Sequence, residues 1–354
     1  MSAIQFGQIH PRAFAHPADR RATSAFEQLP LLPGLLKKIS HLGIEEKFLA
    51  HHMYNSVKLG PCQLPSLWRM VHEVAERLGI PAPTTYLSRQ GEANAFAFGR
   101  HTHSIVLTSE LVELMSDREL QGILAHEMGH ILCEHMLYMG VGLALSDGAL
   151  PTLAKLIPGL EESVTGLFCT WYRAAEYSAD RAALLILEDP DPLTQSLSRL
   201  AGVPRRYEAE FDLRLFAEQA KNYEEQASLW SKMLTFSRGL FLTHPEPAKR
   251  VGAILEWAAT DEYSDILGGD YLTRFEVDAL EQIQIEGVKA CPLCRRPVAE
   301  SADCSFCGLP QDQRTQQICA RRKRPHPGAR HWRFCKACGA NFRRDGRGSE
   351  IPDS

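Results

Sequence analysis

Along residues 64–78 the apolar positions fall at Leu64, Leu67, Val71, Val74, Ala75 and Leu78, the spacing of an amphipathic helix. Gly79-Ile80-Pro81 stops it. The pattern then shortens to period two. Thr84–Leu87, Ala95–Phe98 and Ser104–Thr108 read as strands, the last two joined by a hairpin turn over Gly99-Arg100-His101-Thr102-His103. Helical spacing returns at Leu120, Ile123, Leu124 and Ile131, and Ser116-Asp117-Arg118-Glu119 is a Ser-x-x-Glu capping box that starts this helix. An Ala- and Leu-rich helix follows over 171–187 and ends before Asp189-Pro190. A short helix within 188–205, a long solvated one over 207–240, one over 248–259 and an acidic one over 261–285 complete the series. Residues 1–25 read as polar and irregular, and 25–58 as partly helical. The expected class is α+β, mostly helical with a small mixed β-sheet.

Composition changes this picture mainly at the C-terminus. With 44% hydrophobic and 23% charged residues the 354-residue chain is globular, which excludes a disordered or fibrous protein. The net charge of −4 hides an asymmetry: residues 314–347 carry +10, leaving −14 on the rest. Seven of the ten cysteines lie beyond residue 290. The N-terminus has no basic stretch followed by an apolar one, so no signal peptide is expected, and the cysteines read as metal ligands in a cytoplasmic chain rather than as disulfides. No run reaches the roughly 18 apolar residues of a membrane span. The best candidate, 136–167, is broken by Asp147, Pro151, Lys155, Pro158, Glu161 and Glu162. Peripheral membrane contact through 140–168 is left open.

The helix after the capping box carries His126-Glu127-x-x-His130. On a helix the two imidazoles lie one turn apart on one face, where both reach one zinc ion at about 2.0–2.1 Å. Glu127 stands beside the first ligand and reaches a water at the metal as general base. A catalytic zinc needs a third protein ligand, and Glu176 on the next long helix supplies a carboxylate. Asp180, one turn on, shares its face and is placed to accept a hydrogen bond from a ligand imidazole. Cys133 and His135 read as structural: the first as a small buried hydrophobe, the second as lying off the ligand face. His51-His52 and His101/His103 read as packing or surface residues.

The blocks Asn94-Ala95-Phe96-Ala97-Phe98-Gly99, the 117–135 helix, Arg173-x-x-Glu176-x-x-Ala179-Asp180 and His244-Pro245-x-x-x-x-Arg250 stand in the order of the HtpX-like gluzincin family, which includes the CAAX-prenyl endopeptidases. The chain resembles that family over about residues 60–260. The resemblance implies a zincin-type metalloendopeptidase with His126, His130 and Glu176 as ligands and Glu127 as base. It further implies Asp180 behind a ligand and His244 near the cleft. His244 then serves as a donor to the oxyanion of the tetrahedral intermediate and Arg250 orients Asp180 or Glu176. Asn94, Ala95 and Phe96 would bind substrate by pairing a strand edge with an extended, unfolded polypeptide. Members of the family commonly carry transmembrane helices, and this sequence departs from them there.

Past residue 287, Cys291-x-x-Cys294 and Cys304-x-x-Cys307 form two knuckles able to hold one structural zinc at about 2.3 Å in a zinc-ribbon-like module. Cys335-x-x-Cys338 follows a basic run and is a candidate for a second structural zinc. Four segments are expected: 1–58, a metallopeptidase domain over 59–286, the ribbon over 287–312 and a basic tail over 313–354. The rival to a peptidase is a catalytically quiet scaffold binding protein or nucleic acid through the ribbon and the tail, with Trp332 and Phe334 as stacking residues.

Overall fold

The computed structural model describes residues 3–28, 44–99, 102–139, 160–226 and 244–277, with four two-residue strands beyond them. In chain order the helices are α1 (Pro17–Glu27), α2 (Ile44–Asn55), α3 (Pro65–Leu78), α4 (Ser109–Leu114), α5 (Asp117–Leu132), α6 (Leu160–Leu187), α7 (Pro190–Leu200), α8 (Leu213–Gln226), α9 (Pro247–Ala258) and α10 (Asp261–Leu267). The strands are β1 (Val57–Lys58), β2 (Thr84–Ser88), β3 (Ala95–Phe98) and β4 (Ser104–Thr108), then β5 (Lys289–Ala290), β6 (Pro297–Val298), β7 (Gln317–Ile318) and β8 (Pro325–His326). The chain divides into two compact units, one of residues 1–7 and 11–267, the other of residues 8–10 and 268–354. In the second unit β5 pairs with β6 and β7 with β8, both antiparallel.

Helix α5 is the axis of the first unit. Its capping box forms as written: Ser116 accepts from the Glu119 amide while the Glu119 carboxylate takes the Ser116 amide. Apart from Gln121, every residue from Glu119 to Leu132 is buried, so this helix is wrapped on all sides rather than half-solvated. The sheet lies alongside in the order β1-β2-β4-β3. β3 and β4 form the expected antiparallel hairpin around Gly99, whose φ of +94° suits glycine alone. β2 runs parallel to β4, whose five residues are all buried, so the sheet is mixed.

Helix α6 crosses α5 at unusually close range because the facing residues are small. Ala175, Ala179, Ala182 and Ala183 are fully buried on it. A Cβ at Gly129 would sit 2.8 Å from the Ala182 Cβ and 3.0 Å from the Ala179 Cα, neither of which can swing away. Gly129→Ala is therefore expected to force the helices apart at a cost of about 1–3 kcal/mol. Urea unfolding of the variant checks it, and a loss under about 0.5 kcal/mol would show that the crossing is loose.

Three sequence expectations change. Residues 3–25 are not polar and irregular throughout: Phe6 and Phe14 are fully buried, α1 packs against α6, and the Phe6 amide donates to the Arg77 carbonyl. The apolar residues there are few, but each buried phenylalanine contributes about 1.5–3 kcal/mol, which outweighs the polar average. The helix expected from 207 begins at Leu213, where the Asp212 carboxylate accepts from the amides of Arg214 and Leu215. The acidic helix expected over 261–285 ends at Leu267, ahead of Gly268-Gly269. Among the described residues no helix is long and apolar enough to cross a membrane.

Candidate active site and metal centre

His126 and His130 leave α5 one turn apart, and Glu176 leaves α6 next to the Gly129 crossing. The Nε2 atoms of the two imidazoles face each other at 3.2 Å. Glu176 closes the triangle, with Oε2 at 3.5 Å from His126 Nε2 and Oε1 at 3.3 Å from His130 Nε2. All three side chains are buried. With His244 they form a group whose ligand atoms lie within 4.8 Å of one another.

The donor chemistry of this group fits a cation. His126 Nδ1 lies 3.0 Å from Asp180 Oδ1, an atom that only accepts, so the ring proton sits on Nδ1 and Nε2 offers its lone pair inward. Among the described residues, the buried Glu176 Oε1 and Glu127 Oε1 have no hydrogen-bond donor. Lone pairs and carboxylate oxygens turned toward one point repel unless a positive charge lies among them. Two imidazoles and one carboxylate match the donor set of a catalytic zinc.

The surrounding charges are arranged in pairs. Arg250, on α9, donates from Nε to Asp180 Oδ2 at 2.7 Å and from Nη2 to Asp180 Oδ1 at 2.6 Å, a two-pronged grip. Its Nη1 lies 2.8 Å from Glu176 Oε2. Burial works against charge on Asp180 and Glu176, but Arg250, His244 and the ligand imidazoles outweigh it and hold both carboxyls below their ordinary range. At His126 burial opposes protonation, yet hydrogen bonds with Asp180 and Glu176 prevail and push the ring up to about 9, so in the metal-free site a second proton, on Nε2, stands where a cation would take the lone pair. At His130 burial prevails and the ring falls to about 4. The site thus favours one positive charge at its centre.

Glu127 stands at the mouth of this group. Its Oε2 accepts from the Ala97 amide at 2.8 Å, and its Oε1 lies 3.5 Å from His244 Nε2. His244 has Nδ1 at 3.1 Å from Glu176 Oε2 and Nε2 at 2.8 Å from the Ala95 carbonyl. Both ring nitrogens face acceptors, so both carry protons. Burial resists that charge, and Glu176 and Glu127 overcome it, raising the imidazole. The family resemblance implies His244 beside the cleft; the geometry places it among the ligand atoms themselves.

A cavity of about 300 Å³ opens beside Glu127 and His126. Asn94 and Ala95 line it, as do Leu111, Ile123, Leu193 and Leu197. Phe96 packs elsewhere, its ring 5.6 Å from Phe48 and 5.9 Å from His52. Cys133 takes no part in the ligand group, and burial raises its thiol well above the ordinary value. Cys291, Cys294, Cys304, Cys307, Cys335 and Cys338 lie outside the described residues, as does the basic tail apart from β7 and β8. Two buried residues that sequence patterns did not connect to the site, Asp19 and His135, stand directly behind His130. The one available signal was His135 itself, a second histidine five residues past a ligand.

A mostly helical fold with a small mixed sheet, a His-Glu-x-x-His helix and a carboxylate from the following helix define a zinc-dependent metallopeptidase. The sequence comparisons agree. The chain belongs to Peptidase family M48, whose sequence profile matches residues 61–258, more than half of its length. It is 32% identical over 272 residues to the plastoglobule-localized metallopeptidase 48 of Arabidopsis thaliana chloroplasts, spanning 75% of this chain and 77% of that one. It is 27% identical over 236 residues to a Protease HtpX homolog of Ralstonia pickettii, spanning 60% and 80%. Among solved structures it is similar to Ste24p of S. mikatae, at 18% identity over 66% of this chain and 60% of that one, with a TM-score of 0.42, too slight a likeness to argue from.

Proposed function

We propose that the chain is an endopeptidase for flexible or unfolded polypeptide, with His126, His130 and Glu176 holding the zinc and Glu127 as the base. Zinc, when bound, supplies Lewis-acid chemistry: it polarises a carbonyl and acidifies a water. Glu127 takes the proton from the attacking water and passes it to the leaving amine; its Oε1 is unpaired and its Oε2 is fixed by Ala97. His244, held as a cation by Glu176, exchanges its Nε2–H contact with the Ala95 carbonyl for one with the substrate carbonyl oxygen as negative charge develops there. Arg250 and Asp180 keep His126 and Glu176 aimed.

The observation that carries this reading is the buried Glu127 carboxylate, its Oε1 without a hydrogen bond among the described residues, set between the ligand group and an outer strand. β3 is the last strand of its sheet, and its Ala95 carbonyl and Ala97 amide face the site. An extended chain laid along that edge passes the base, and a folded domain cannot adopt that shape. The adjoining cavity takes an apolar side chain, because Leu193 and Leu197 present one face of α7 to it. The cysteine pairs at 291, 294, 304 and 307 are read as a structural zinc site on their spacing alone.

Incubation with an unfolded protein tests the proposal. Cleavage is expected to stop with a chelator and return with zinc. It is also expected to favour bonds flanked by Leu, Ile or Phe over those flanked by Asp or Lys by about tenfold or more. Chelator-insensitive cleavage, or none of unfolded chains, would contradict it.

A further inference from the structure

We propose that Asp19 and His135 are positioning residues for the metal site: with His130 they form a buried relay that fixes which nitrogen of His130 faces the metal. The inference rests on the zinc reading above and adds to it a role for the N-terminal helix α1.

The relay joins two separate parts of the chain, and a third, α6, supports it through Ser178. Asp19 lies on α1 and is 3% exposed; His135 follows α5 and is 2% exposed. Asp19 Oδ2 is 3.1 Å from His135 Nε2, and His135 Nδ1 is 2.8 Å from His130 Nδ1. The remaining acceptor capacity of Asp19 is also taken up: Ser178 Oγ of α6 donates to Oδ2 at 2.6 Å and Thr23 Oγ1 to Oδ1 at 3.1 Å. These donors, with His135, more than offset burial and hold the Asp19 carboxyl in its charged form.

Each link determines the next. A carboxylate only accepts, so His135 Nε2 carries a proton. With its ring proton on Nε2, His135 keeps the lone pair at Nδ1, which is the acceptor in the 2.8 Å pair with His130. The nitrogen facing it, His130 Nδ1, must therefore donate, and His130 Nε2 is left with its lone pair directed at His126 Nε2 and Glu176 Oε1. This is the form a metal ligand requires. His126 gets the same treatment in one step from Asp180; His130 gets it in two, through His135.

The backbone is bent to make this contact. After Leu132 the chain turns back through Glu134, whose φ of +59° is a left-handed conformation normally filled by glycine. The turn closes with the His135 amide on the His130 carbonyl at 3.0 Å, which brings the two rings together. Trp171 then packs edge-on against His135 at 5.6 Å between centroids.

The test is zinc affinity of the full-length chain, measured by competition with a chelator, for wild type, His135→Leu, His135→Asn and Asp19→Ala. Leucine removes the acceptor facing His130, whereas the asparagine carbonyl keeps one close to the position of Nδ1. His135→Leu is expected to bind zinc about 10–100-fold more weakly, Asp19→Ala to weaken binding in the same direction, and His135→Asn to recover most of the loss. Unfolding of the metal-free proteins runs alongside, since a side chain that only fills space lowers stability without moving zinc affinity. In cobalt-substituted protein the visible absorption bands should shift in His135→Leu and return in His135→Asn. If His135→Leu does not fold, Asp19→Ala and His135→Asn read the same relay. Affinities of His135→Leu and Asp19→Ala within twofold of wild type, or an asparagine variant no better than the leucine one, would overturn the relay. A wild-type chain with no bound zinc at the site would overturn the zinc reading itself, and the relay with it.

Discussion

Glu127→Gln leaves the chain folded and loaded with zinc but lowers peptide cleavage by about 10²–10⁴-fold, the contribution of one positioned general base. The substitution is nearly isosteric, and the carbonyl of the introduced side-chain amide can still accept from the Ala97 amide that now holds Oε2 at 2.8 Å. What it removes is the second, unpaired oxygen and its capacity to take a proton. Zinc content, the urea midpoint and kcat are measured on one preparation. Loss of zinc or of stability together with activity would mean that Glu127 supports the fold rather than the chemistry, and a kcat within threefold of wild type would remove it from the mechanism.

The second large effect falls on stability. Arg250 satisfies two buried carboxylates at once, and both it and Asp180 are almost fully enclosed. Arg250→Ala in the metal-free protein strips the guanidinium from Asp180 and Glu176 and leaves them only the imidazoles of His126, His130 and His244. The expected cost is about 3–5 kcal/mol, that of breaking a buried pair by deleting one partner. The dependence on pH has a definite sign. Both carboxyls are held below their ordinary values of 3.8 and 4.5, so the stability they contribute is complete above those values and is lost as pH falls through the lowered ones. The gap between Arg250→Ala and wild type should therefore be widest near neutral pH and close under strong acid. Urea unfolding at pH 7 and at pH 3 checks both parts; a gap under about 1 kcal/mol at pH 7 would show that water reaches this network and screens it.

The elements that position the site could be read from the sequence where one physical signal acts alone. The capping box at Ser116–Glu119 is local and forms as spelled. The strands around Gly99 have a turn residue free to take the positive φ that the hairpin needs. The His-Glu-x-x-His spacing puts two imidazoles on one face whatever lies around them. Contacts made across the chain could not be read in this way. Nothing in Pro17-Ala-Asp-Arg-Arg-Ala-Thr announces that Asp19 will be enclosed by α6, because burial there comes from tertiary partners such as Ser178 and His135 rather than from α1 itself. His135 reads as structural because its spacing takes it off the ligand face, and it does lie off that face. The backbone reversal at Glu134 then returns it to the back of His130, and a left-handed glutamate leaves no mark that periodicity can detect. The apolar cavity is the same kind of case: Leu193 and Leu197 read as an ordinary helix stripe until α7 is placed beside Glu127.

Zinc-edge anomalous diffraction on crystals of the full-length chain tests the metal centre most directly. One strong peak is expected among His126 Nε2, His130 Nε2 and the Glu176 carboxylate, at about 2.0–2.2 Å from each. A zinc-replete crystal with no peak there, or with Glu176 turned away from the two imidazoles, would contradict the assignment of these three side chains as the ligands of a catalytic zinc.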